Sequence, residues 1–134
     1  MMRVESSING TVSIILPCYN VAPYLDQCLE SLVHQTWKSV EIICINDGST
    51  DETSAVLHSW AARDGRIRVV DRENGGQASA RNVGMDMASG EYIAFADPDD
   101  YMEHSMYGRL MEEICTHDAD AVSYTHLRAH ETRS

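Results

Sequence analysis

The chain has 134 residues, enough for one small domain. With 43% hydrophobic and 23% charged residues its composition is that of an ordinary globular protein, and no apolar run is long enough for a membrane span. The net charge of −11 argues against a nucleic-acid surface, so a phosphate-bearing ligand would need help from a cation or from backbone amides.

Residues 1–10 read as an N-terminal extension. "MMRVESSING" has no apolar core of signal-peptide length, which leads us to expect a cytoplasmic protein. "TVSIILPCYN" predicts a strand from Val12 to Leu16, stopped by Pro17. "VAPYLDQCLESLVHQ" carries Leu25, Cys28, Leu29, Leu32 and Val33 at helical spacing. "VEIICIND" is a second strand, after which Ser49, Thr50 or Asp51 should cap a helix over "TSAVLHSWAARDG". "RIRVVDREN" is a third strand that runs into a Gly75–Gly76 turn. "QASARNVGMDMASG" follows as a helix with Gly90 as its stop. "EYIAF" reads as a fourth, buried strand. "MEHSMYGRLMEEICTHDAD" closes the series as a helix with Met106, Leu110, Met111 and Ile114 facing inward. Cys18, Cys28, Cys44 and Cys115 form no CxxC pair and read as free thiols, most of them inside apolar runs.

Strands that alternate with helices predict an α/β fold with a mainly parallel sheet. Ligands of such sheets gather at the carboxyl ends of the strands. "PCYN", "NDGSTD", "ENGGQ" and "DPDD" all fall there.

The composition shifts after Ala121. "VSYTHLRAHETRS" resembles one reading frame of a sequencing adapter, so residues 122–134 are expected to be a non-native tail. His126 and His130 imitate a zinc-binding i, i+4 pair and are set aside on that ground. Without Arg128, Glu131 and Arg133 the net charge would be −11 − 1 = −12. The expectation is that residues 11–121 are the N-terminal part of a longer protein, its sheet truncated after about four strands and left with an unfinished edge.

Three motifs carry chemistry. Asp97 and Asp99 straddle one residue where the chain leaves a strand, so both can lean towards one Mg²⁺ or Mn²⁺ ion, hard cations that take oxygen ligands. A turn plus helix cap, with Pro98 and Asp100 opening the next helix, is the equal alternative. Asp47, one step past a strand, can accept from a base N–H or a ribose hydroxyl, or it belongs to an ordinary strand-to-helix turn. Gly75 and Gly76 allow close backbone approach to a ligand, and Arg81 points back towards a phosphate or is a solvated arginine. The chain holds neither GxGxxG nor GxxxxGK.

The order "VSIILPCYN", "EIICINDGSTDET", "ENGGQASARNVGMDMASGEYIAFADPDDY" resembles the N-terminal half of family 2 glycosyltransferases, inverting enzymes of the GT-A fold. The resemblance covers residues 11–121 and implies a nucleotide-sugar-binding half-domain. It assigns Pro17, Tyr19 and Asn20 to the border of the base, Asp47 to the base or ribose, and Arg81 with Gln77 to the helix facing the donor. Asp97 and Asp99 match DxD, with the metal and the donor diphosphate as partners. The implied donor is a nucleotide-diphospho-sugar, most naturally UDP-linked, and the implied acceptor is a glycan or a lipid-linked sugar in cell-surface polysaccharide synthesis. The resemblance also leaves room for peripheral membrane association through further C-terminal sequence.

No acidic base of that family follows DxD. Glu112 and Glu113 come too early and lie mid-helix, so the chain by itself is expected to be inactive. Two other readings compete. A haloacid-dehalogenase-like phosphohydrolase would use Asp97 as nucleophile and Asp99 as acid/base, but it would carry them on the first strand. A non-catalytic sugar-nucleotide-binding module would need only the motifs present.

Overall fold

The structure, a computed structural model, describes residues 10–99 and 103–117, with side chains up to Glu113. The expected tail, Ile114 and Cys115 as side chains, and Asp100 lie outside the described residues. The elements alternate: β1 (Val12–Cys18), α1 (Ala22–Val33), β2 (Val40–Asp47), α2 (Thr53–Arg63), β3 (Ile67–Arg72), α3 (Gln77–Met87), β4 (Tyr92–Phe95) and α4 (Met106–His117). The four strands form one parallel sheet in the order β3-β2-β1-β4. β1 and β2, which are central, are apolar almost throughout because both of their faces are covered.

The pleat sorts their side chains by parity. Val12, Ile14 and Leu16 of β1 join Val40, Ile42 and Cys44 of β2 in a core with Leu25, Leu29 and Leu32 of α1 and Tyr107 and Met111 of α4. Ile43 and Ile45 face the other way, onto Ala80 of α3. The inward positions expected on α1 are all buried, as are Met106, Leu110 and Met111 of α4. Among the described residues no helix is long and apolar enough to cross a membrane.

Four expectations are corrected. Pro17 does not stop β1, which runs on to Cys18. The Tyr92 and Ala96 amides donate to the Thr11 and Ile15 carbonyls, so odd-numbered residues of β1 face β4. The donor that Pro17 lacks therefore points beyond the last β1–β4 pair, Ile15 with Phe95, where no ladder bond is lost. Gly90 does not end α3, which stops at Met87 with Ala88 as its cap. A Cβ on Gly90 would collide with the Thr11 carbonyl, so the glycine serves close passage over β1.

β4 is less buried than its apolar sequence predicts. Ala94 is buried but Tyr92, Ile93 and Phe95 are only partly so, because β4 is an edge strand of the described sheet. Finally, α4 begins at Met106, after a turn, rather than near Met102. Gln35, wholly buried, sets that start: its Nε2 donates to the Glu103 carbonyl at 2.6 Å and its Oε1 accepts the Tyr107 amide at 3.0 Å.

Candidate donor-binding site

The chain order places β1 between β2 and β4, so the connections leave β1 in opposite directions and open a crevice at the carboxyl ends of the strands. A cavity of about 440 Å³ occupies it. β1 contributes Pro17 and Tyr19, β2 contributes Asp47, the β3–α3 turn contributes Gly76 and Gln77, and the segment after β4 contributes Asp97 and Asp99. Seven of the residues singled out from sequence thus line one space that is on the scale of small-molecule sites. Tyr19 is 50% exposed, which leaves its ring free at the mouth.

Asp47 is the most constrained of these groups. It is 4% exposed, and its two carboxylate oxygens each accept an amide at 3.0 Å, Oδ1 from Gly75 and Oδ2 from Gly76. Its own carbonyl accepts from Asn74 Nδ2 at 3.0 Å. Gly76 has φ +98 and Gly48 φ +75, both in the region that glycine tolerates. The carboxylate therefore shapes the turn that forms the opposite wall, and the residue lines the cavity itself.

Asn20 is not in the cavity wall. It has φ 52, unusual for a residue with a side chain. Its Oδ1 accepts the Thr50 amide at 2.7 Å and the Asp51 amide at 3.3 Å, while its own amide donates to Ser49 Oγ at 2.9 Å. It clamps the "GSTD" loop beside Asp47. That loop also supplies the expected cap from one position further out: Glu52 precedes α2 without a side-chain cap bond, and Asp51 Oδ1 accepts the Thr53 amide. Below it, Asn46 donates to Asp71 Oδ1 and accepts the Ser49 amide. The Asn46 amide, then His58 and Ser54, hold the Asp71 carboxyl below its ordinary range.

Arg81 also lies outside the wall. Its guanidinium sits 5.7 Å from the centre of the Phe95 ring, and its Nε is buried without a partner. The sequence reading assigned no ligand role to Cys18, Val21, Asn74 or Ala80, which also line the wall, or to Arg72 behind it. Only the fall of Asn74 between a strand and a double glycine could have signalled it. Cys18 and Cys44 are buried, and burial followed by neighbouring thiols pushes their pKa up, which leaves them neutral.

Among the described residues no three His, Cys, Asp or Glu side chains are grouped to hold a metal. Asp97 and Asp99 offer hard oxygen ligands at the cavity edge, a donor set suited to an ion that shares a phosphate ligand and water.

The sequence profile of glycosyl transferase family 2 matches residues 13–132. The chain belongs to that family. It is 47% identical over 111 residues to the uncharacterized glycosyltransferase EpsJ of Bacillus subtilis, an alignment spanning 83% of this chain and 32% of that protein. It is 38% identical over 123 residues to the hyaluronan synthase of Pasteurella multocida, spanning 90% of this chain and 13% of the synthase. The crystal structure of S. aureus TarS 1-349 in complex with UDP-GlcNAc superposes with a TM-score of 0.76 at 30% identity, covering 82% of this chain and 32% of that one. The sheet and helices described above are thus part of a GT-A-type fold. The chain spans a third or less of each relative's length. Family membership displaces the phosphohydrolase alternative, and the DxD segment does follow the fourth strand rather than the first.

Proposed function

We propose that this family 2 glycosyltransferase chain binds a nucleotide-diphospho-sugar, UDP-linked, for inverting transfer to an acceptor hydroxyl in polysaccharide synthesis. The observation that carries the reading is the convergence of Tyr19, Asp47, Gln77, Asp97 and Asp99 on one cavity at the switch point of the sheet. TarS, crystallised with UDP-GlcNAc, and a hyaluronan synthase among the relatives support it.

The nucleoside end lies against Tyr19 and Asp47, where a rigid carboxylate accepts hydrogen bonds from a base or ribose. The diphosphate meets Asp97 and Asp99. Two carboxylates facing a diphosphate repel it, so this end needs a cation, and the oxygen donors fit Mg²⁺ or Mn²⁺. When bound, such an ion supplies Lewis-acid stabilisation of the departing phosphate oxygens. Gly76, at the cavity edge, lets the backbone approach the ligand closely.

Inversion also needs a carboxylate to take the acceptor's proton. Among the described residues, the acidic side chains of the cavity wall are Asp47, Asp97 and Asp99, and all three serve the donor in this reading. The chain is therefore a donor-binding unit that does not transfer sugar unaided. Titration calorimetry with UDP tests the reading: binding should tighten with Mn²⁺, and no acceptor should become glycosylated. A folded sample with no affinity for UDP in either condition would sink it.

A further inference from the structure

Arg72, the last residue of β3, is absent from the cavity wall yet touches the segments that build it. Its Nε lies 3.4 Å from Asp47 Oδ1, its partner in the β2–β3 register, and donates to the Glu73 carbonyl at 3.2 Å. Its Nη2 donates to Ser79 Oγ, in the first turn of α3, at 2.9 Å. A Cβ on Gly75 would collide with Nη2, so the guanidinium passes directly beneath the glycine turn. One side chain thus joins the end of β2, the turn and the start of α3.

Two features separate this from an ordinary surface pair. The side chains are 21% exposed for Arg72 and 5% for Asp47, so the contact is shielded from water and salt. In addition, Arg72 Nη1 is buried with no acceptor, an unfavourable arrangement that persists because the planar fork must reach Asp47 and Ser79 together. We propose that Arg72 is a positioning residue for donor binding: it holds the Asp47 carboxylate and the Gly75–Gly76 turn in the geometry that receives the nucleoside, without touching the donor. The assignment rests on the donor reading above. In a chain of net charge −11, it also places one cation behind the wall opposite Asp97 and Asp99.

The test compares Arg72→Met, Arg72→Lys, Asp47→Asn and the Met/Asn double variant by calorimetry with UDP and with uridine. Amide hydrogen exchange at Gly75 and Gly76 is measured alongside. Loss of an ion pair that acts through Asp47 should weaken UDP and uridine by the same factor, about tenfold. Arg72→Lys should not restore it, and Arg72→Met should add nothing in the Asp47→Asn background. The two glycine amides should lose protection while those of β1 keep theirs. Native affinity in a folded Arg72→Met chain would overturn the assignment. So would full additivity with Asp47→Asn, or a loss confined to UDP, which would mean direct phosphate contact. Should Arg72→Met fail to fold, Arg72→Lys and the exchange data decide the matter. If the unaltered chain binds neither ligand, the donor reading falls, and glycine-amide protection alone judges the Arg72–Asp47 link.

Discussion

Gly84 of α3 rests on Ile15 of β1 so closely that a Cβ on the glycine would come within 2.5 Å of Ile15 Cγ2. Helix propensity favours alanine over an interior glycine by about 1 kcal/mol. Overpacking against a central strand opposes it with a cost of about 1–3 kcal/mol. We expect the second effect to win, so Gly84→Ala should lower the urea midpoint, whereas Gly84→Ala by propensity alone would raise it.

Tyr107 gives the opposite sign. Its ring is wholly buried, its hydroxyl has no hydrogen-bond partner, and burial pushes its pKa well up. An unpaired buried hydroxyl costs about 1–3 kcal/mol. Tyr107→Phe keeps the packing and removes that cost, so it should raise the thermal midpoint. A clear drop on scanning calorimetry would contradict the placement of the ring.

Asn20 combines a left-handed backbone with a clamp on the loop beside Asp47. Asn20→Gly keeps the backbone free of strain and loses only the clamp, while Asn20→Ala loses both. Alanine should therefore destabilise more than glycine, by about 1–2 kcal/mol. Both variants should bind UDP more weakly, because the "GSTD" loop is released in each. Equal stability of the two in denaturant titrations would count against a strained Asn20.

Glu41 links pH to stability. Its carboxylate accepts from Ser13 Oγ, the Ser89 amide and Arg68, tying the α3–β4 connection to the sheet. Partial burial works against ionisation, but the Ser89 amide, Ser13, Arg68 and the Ser89 hydroxyl outweigh it and bring the pKa down to about 2. A folded pKa below the unfolded one means stability that is present above about pH 4.5 and lost as pH falls towards 2. Glu41→Gln should thus be clearly less stable than the parent at pH 7, and the gap should narrow between pH 5 and pH 2 (approximate bounds from the carboxylate's free and folded values). Urea titrations across that range measure it.

At the metal end, Asp99→Asn should remove most of the gain in UDP affinity that Mn²⁺ provides and leave the metal-free affinity intact. Asp47→Asn should do the reverse. Calorimetry with and without a chelator separates them, and identical profiles for the two variants would show that the cavity has no distinct nucleoside and diphosphate ends.

The elements were legible because apolar periodicity is local. β2 and α2 were readable almost residue for residue, and "PCYN", "NDGSTD", "NGGQ" and "DPDD" marked the carboxyl ends of the strands. The side-chain duties at those ends were less legible, since they depend on neighbours far along the chain. Asn20 was read from its motif as a ligand contact, and its clamp on residues 49–51 could not be read there, because those residues lie about thirty positions away. Arg81 drew notice because it sits in a helix near two glycines, while the Arg72–Asp47 pair drew none, since nothing local distinguishes Arg72 from any strand-end arginine. β4 looked buried because its letters are apolar, yet burial is set by its place at the sheet edge.

Pro17 has a consequence for the birth of the cavity itself. The β1–β4 ladder closes at the Ile15–Phe95 pair, and Pro17, the next β1 residue on that side, brings no donor with which to extend it. From that point β1 continues alongside β2 alone, while the chain after β4 is released from the ladder and turns aside with Asp97 and Asp99. Where β1 loses the second of its two neighbours, the sheet leaves room for a guest molecule.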